Sequence, residues 1–290
     1  AAVAAFLAVG PALPAVAQTS SPSTTNPSST DTPAPSCATR PTATSNSSFE
    51  GPVVPDTKAT AVATSTVQGW SSPQKRLTFA ASGFEGVTAA SGRQFLELID
   101  SSSSIVHQDL ITAPGETLAW SLAHRAVAGS GTIRVRIGAP GDEGEVRATL
   151  TDADAWTRHG DTYRVPTDQT ITRLTIEADR GASTGNLIDD VAFGSAACLV
   201  ATARISPDQH VEVGDRLTET VVVRNVGGTP TTDATLAASF PATLDYVRDS
   251  SIPAGLWDYV PDTLLVRLIG ASGVPGVLLP GEAVTASWVL

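Results

Sequence analysis

Of the chain's 29 acidic residues, Asp189 is the one whose neighbours ask most of it. In the run LIDDVAF (187–193), alternation puts Asp189 on one face with Leu187, Val191 and Phe193. A carboxylate turned inward needs a counter-charge or hydrogen bonds, because burying it bare costs several kcal/mol. Calcium answers that need, since it takes 6–8 oxygens from carboxylates and backbone carbonyls. Backbone N–H groups at a strand bulge answer it equally, with no metal.

The other groups that could do chemistry are scattered. His124 shares a face with Leu118, Trp120 and Leu122 in ETLAWSLAHR. With Glu97 and Asp109 in the same sheet system it would be a general base, but a histidine on such a face is more often a satisfied core residue. His107, His159 and His210 lack the His-x-His or His-x₃-His spacing of a zinc site. The serine run Ser101 to Ser104 reads as a hairpin loop, and no G-x-S-x-G elbow or GxGxxG phosphate loop occurs. No cluster of nucleophile, base and oxyanion donor is supported by spacing, so an enzyme is not expected. Trp70, Trp156 and Tyr163 fall in loop-like or strand-end settings, where they would stack on a sugar or plug one end of a sandwich. Trp120 alternates inward as core, and Trp257 and Trp288 read as packing residues. Aromatics make up 5% of the chain, which is lean for a dedicated carbohydrate binder.

The elements that must position these residues are strands. Ile133, Val135 and Ile137 alternate with Arg134 and Arg136; Leu174 and Ile176 alternate with Thr175 and Glu177; Val221 and Val223 alternate with Val222 and Arg224. Turn-rich pieces such as GAPGDEGE and NVGGTP separate the runs. Many short strands at near-regular spacing predict an all-β chain of β-sandwiches. Residues 46–198 suffice for a jelly roll, and residues 199–290 for an Ig-like sandwich.

Ahead of them, residues 1–17 (AAVAAFLAVGPALPAVA) read as the remnant of a secretory signal peptide, an apolar run before a small-residue cleavage site. Pro11 and Pro14 interrupt it, and it is short of the ~20 residues of a membrane span. Residues 18–45 are dominated by Ser, Thr and Pro and predict a disordered tail. The chain has 290 residues and no methionine, as expected of a processed or partial sequence. Export permits a disulfide between Cys37 and Cys198, which flank the first sandwich; two free thiols for metal or redox work are the alternative. With 18 Lys+Arg and a net charge of −11, a nucleic-acid partner is excluded on electrostatic grounds.

Read in order, NSSFE (46–50), GFEGVTAASGRQFLELID (83–100), APGETLAWSLAHR (113–125), IRVRIGAPG (133–141) and GNLIDDVAFG (185–194) resemble the galactose-binding-like jelly rolls of bacterial surface proteins, cousins of carbohydrate-binding modules. The resemblance implies a structural calcium held between Glu50 and the Asp189-Asp190 pair. It departs at Asn46-Ser47-Ser48, where relatives often read Asn-Gly-Ser, and at Ala126-Val127, where Gly and Arg are common; the second departure bears on any ligand site using that arginine. Residues 203–290 resemble a conserved surface-repeat family, domain of unknown function eleven, in ISPDQHVEVGDRLTETVVVRNVGGTPTTDATLAASFP (205–241), GLWD (255–258) and LLPGEAVTASWVL (278–290). Such repeats occur in tandem on wall-attached proteins, so further repeats and an anchor are expected after Leu290.

Together these imply a secreted or cell-wall-attached, non-catalytic protein whose jelly-roll head meets a glycan or cell-surface ligand and whose Ig-like module is a spacer. A carbohydrate-binding accessory region of a larger secreted hydrolase and a purely structural wall component are the alternatives.

Overall fold

The computed structural model describes residues 5–6, 37–38, 40–56, 58–99, 104–127, 131–152, 154–178, 185–208, 211–240, 243–253, 257–260 and 263–290. The expected signal remnant, apart from β1 (Ala5–Phe6), and most of the Ser/Thr/Pro tail therefore lie outside the described residues. The chain divides into two units: Arg40–Ala196, and Ala197–Leu290 together with the N-terminal segment.

The first unit is a jelly-roll sandwich. Among the described residues its strands are β2 (Ala59–Ala63), β3 (Arg76–Ala81), β4 (Gln94–Leu98), β5 (Ile105–Ile111), β6 (Thr117–Ala126), β7 (Ile133–Gly138), β8 (Glu145–Leu150), β9 (Thr157–Arg164), β10 (Ile171–Ala178) and β11 (Asn186–Ser195). They form a six-stranded sheet, β2-β3-β4-β11-β6-β9, and a four-stranded sheet, β5-β10-β7-β8, antiparallel throughout. The predicted alternation holds: Leu118, Trp120, Leu122, Ile133, Val135, Ile137, Leu174 and Ile176 all join one buried cluster. Each such side chain contributes about 1.5–3 kcal/mol on leaving water.

The unit starts earlier than the expected residue 46. Thr44 N–H donates to Phe193 O at 2.8 Å, Ser195 N–H to Thr42 O at 2.9 Å, and Ser45 N–H to Gln108 Oε1 at 2.7 Å. A tail-like composition is here tied down by the backbone of β11, because edge-seeking N–H and C=O groups need partners whatever side chains flank them. Cys37 and Cys198 form the expected disulfide, Cα–Cα 5.7 Å apart, and so join the chain just before Arg40 to the chain just after Ala196.

The second unit is the Ig-like part. One sheet is β12 (Leu199–Ser206), β13 (Thr218–Asn225) and β17 (Ala283–Val289); the other contains β14 (Thr235–Ser239), β16 (Thr263–Arg267) and β15 (Trp257–Val260), with β1 on the free edge of β14. Val221, Val223, Leu236, Leu264, Val266, Ala286 and Trp288 form its core. Asn225 locks one end: its amide reaches Thr229 O and Leu278 O, while its oxygen accepts from Cys198 N–H and Gly227 N–H.

Candidate functional site

The six-stranded sheet holds the predicted carboxylate. Strand β11 carries a bulge between Asp189 and Ala192, with Asp190 in the left-handed region at φ 48°. The extra residue reverses the alternation. Leu187 belongs to a small cluster on the sheet's outer side, with Ala80, Val87 and Phe95, whereas Ile188, Val191 and Phe193 face the main core. The expected shared face of Asp189, Val191 and Phe193 is thus corrected: strict alternation assumed an unbroken strand.

Asp189 is fully buried. Its Oδ2 accepts from Ser91 N–H at 2.8 Å and its Oδ1 from Asp190 N–H at 2.7 Å. Burial pushes its carboxyl up to about 7, against the hydrogen bonds from Ser91, Asp190 and Ala90. Glu50 grips the same segment: its Oε1 accepts from Arg93 N–H at 2.8 Å and Gln94 N–H at 3.2 Å. Between them Gly92 (φ +67°) packs so closely that a Cβ there would clash with Glu50 Oε1. Asp190 does not join this pair; its carboxylate binds the Arg158 guanidinium instead. Among the described residues, no group of three or more His, Cys, Asp or Glu is placed to hold a metal.

His124 is the satisfied core residue. It is fully buried, with Nδ1 2.9 Å from Asp152 Oδ2 and Nε2 3.1 Å from Asn186 Oδ1. His159 Nε2 lies 2.5 Å from the same Asp152 oxygen. Burial opposes ionisation of Asp152, but the hydrogen bonds from the two histidines outweigh it and hold its carboxyl below the usual range. Sequence reasoning missed this network, because Asp152 and Asn186 reach His124 only through the fold. Glu97 lies opposite Leu187 in the register; burial and then Glu85 push its carboxyl up. Asp109 is not in the sheet of His124 but on β5, in the other one.

Two of the three expected sugar platforms are corrected. Trp70 is 1% exposed, with its ring 5.2 Å from Phe49 and its N–H donated to Asn46 O. Tyr163 is in the main core; alternation on β9 sends it between the sheets, and burial raises its phenol. Both presented loop-like or strand-end sequence, but an aromatic ring of this size gains most by filling the core. Trp156 stays partly exposed, edge-on to Phe95 at 5.7 Å, its N–H held by Thr88 O at 2.7 Å.

What remains open is the outer face of the four-stranded sheet. Register sets four rows across it: Ile111 beside Ile171; Asp109, Arg173 and Gly138; His107, Thr175 and Arg136; and Ile105, Glu177 and Arg134. Arg173 grips Asp109 with two bonds of 2.6 and 2.8 Å, and Arg136 lies 3.4 Å from Glu177. The hydrogen bond from Arg173 holds the Asp109 carboxyl below its usual range; burial and then Arg173 lower His107. The signal for this face was present in VHQDLI, IRVRIG and TRLTIEA, whose outward positions are mostly charged or polar.

No family model and no curated protein matches the chain. Among solved structures, it is similar to a family 4 carbohydrate-binding module (17% identity, TM-score 0.36, covering 52% of this chain and 99% of that one). The C-terminal family 22 carbohydrate-binding module of Clostridium thermocellum Xyn10B is 20% identical (TM-score 0.34, 45% of this chain, 87% of that one). The Stig cyclase Fisc from Fischerella sp. TAU is 16% identical (TM-score 0.40, 54% of this chain, 100% of that one). At these values the likenesses carry no argument about ligand or reaction.

Proposed function

We propose that this is an exported, non-catalytic binding protein of the cell surface or wall: the jelly roll is a head that recognises a glycan, and the Ig-like unit is its spacer. The observation that carries this reading is the open outer face of β5-β10-β7. Its side chains are held in register by strand pairing and cross-strand ion pairs, so a ligand meets a polar surface that is already ordered and loses little to side-chain entropy. Spare lone pairs and N–H groups on Asp109, Arg173, His107 and Thr175 suit hydroxyl groups. The buried titratable groups support a non-catalytic role: Asp189 and His124 are spent on the structural contacts described above. Binding of the whole chain on a glycan array tests the reading, with an Asp109→Ala/Arg173→Ala variant as control. A specific signal lost in the variant is expected; a wild-type chain that retains no glycan overturns it.

We also propose that Glu50 and Asp189, without Asp190, would hold a structural calcium beside residues 90–94. What fits is the chemistry of the pair: Asp189 is buried with no cationic partner among the described residues, and both carboxylates grip one short segment. A cation there would keep Asp189 ionised and pin that segment to β11. Identical melting in calcium and in EDTA at pH 8 would remove the metal from this account.

A further inference from the structure

We infer that the ligand of the β5-β10-β7 face is an uncharged oligosaccharide that rests the C–H face of a pyranose ring on the exposed Ile111–Ile171 pair. The inference rests on the glycan reading above and adds the ligand's charge class and its seat.

The charge class follows from how the face spends its own charges. Both arms of the Arg173 fork lie on Asp109. Arg136 is shared among Glu177 at 3.4 Å, Glu143 at 4.0 Å and Gly144 O at 3.4 Å. Arg134 is engaged as well. An acidic sugar would have to strip a carboxylate from one of these guanidiniums and approach a chain of net charge −11. A neutral polyol needs neither step. It can use the lone pairs and N–H groups left over on each ion pair, and charge-assisted hydrogen bonds of that kind are the stronger ones.

The seat follows from what the face lacks and what it shows. No Trp, Tyr or Phe stands among the four rows. Ile111 is 79% exposed and Ile171 44%, and the two are direct cross-strand partners. They make an aliphatic step one row away from Asp109–Arg173, roughly 7 Å along the strands. A pyranose matches that pattern, with apolar C–H faces and a rim of hydroxyls. On the far side the connection from β7 to β8 closes in: a Cβ at Gly138 would lie 2.8 Å from Gly144 Cα. Gly138 stands in the Asp109–Arg173 row, so the wall flanks the apolar step on its β7 side. Burial and Arg173 shift His107 toward its neutral form, which offers both a donor and an acceptor.

The test is calorimetry on the full chain with neutral β-1,4-linked hexasaccharides (gluco-, xylo- and galacto-) against oligogalacturonate and a sulfated glycan. Expected are binding of a neutral sugar, affinity that changes less than about twofold between low and moderate salt, and no measurable binding of the acidic pair. Ile111→Asn and Ile171→Asn should each weaken binding about tenfold or more with unchanged melting, since both positions are exposed, while Ile171→Trp should keep it. Binding confined to acidic glycans, or affinity falling steeply with salt, overturns the charge class and leaves the glycan reading standing. Unaltered affinity in both asparagine variants overturns the seat. No binding in either sugar class overturns the glycan reading and this inference together.

Discussion

Among the described residues, each unit of the chain hides one carboxyl completely, and the two are treated differently. Asp189 lies at a bulge in β11, where Asp190 N–H donates to one of its oxygens and Ser91 N–H, from the loop before β4, to the other. Glu219 lies in the unbroken strand β13, on the face of Val221 and Val223. There the backbone N–H groups go to β12 and β17, and the influence that favours its charged form, outweighed by burial, comes from the neighbouring Trp288 indole. Burial raises both. A regular strand consumes the donors that an inward carboxylate would need, so burial shifts Glu219 toward its neutral form. A bulge beside a loop supplies such donors, and leaves Asp189 poised where a cation or a change of pH can move it.

The sharpest way to separate the units is to cut the disulfide. With 161 residues between the cysteines, the chain-entropy model puts its contribution at up to about 5 kcal/mol. Both cysteines lie in the unit that holds Ala197–Leu290 and close the chain of the jelly roll between them, so Cys37→Ser should lower the jelly-roll melting transition most, through lost loop closure, and the Ig-like one less, followed by calorimetry; equal losses in both would break the comparison. Next comes pH. Asp189 has a folded value of about 7 against 3.8 unfolded, a raised carboxyl. In metal-free protein its contribution is complete below about pH 4 and lost as pH rises through 7, on the order of 4 kcal/mol in all. Melting in EDTA from acid to pH 9 should show the fall, and calcium should cancel it. Glu219 is also raised, so the same sign applies to the Ig-like unit. Glu219→Gln should flatten that unit's decline toward alkaline pH, at a cost of about 1 kcal/mol in acid; an unchanged slope would mean that Glu219 is not its source. Gly92→Ala should destabilise the jelly roll alone by about 1–3 kcal/mol, from the left-handed φ and the contact with Glu50. Smallest is Arg173→Ala, a partly exposed pair member worth less than about 1 kcal/mol of stability, whose effect should appear in glycan binding instead.

How much of this was legible varies by residue. The inward positions of β6, β7, β10 and β13 followed from alternation, and the Cys37–Cys198 pairing from their flanking places. Asp189 was legible as a buried acid in need of partners, but not the bulge that supplies them, since nothing in LIDDVAF marks where a ladder slips. Trp70 and Tyr163 were misplaced because ring burial depends on which sheet lies opposite. The Asp109–Arg173 pair joins residues 64 apart in sequence, and no local pattern brings them together.

By itself, then, the sequence determined the period-2 strands, the two sandwiches and the residues with no choice but to be core, because apolar burial is read one position at a time along a strand. Only the tertiary structure decided which charges meet, which carboxyl receives backbone donors and which sheet face stays open. Those depend on register between strands far apart in the chain, and register is a property of pairs of strands rather than of either one alone.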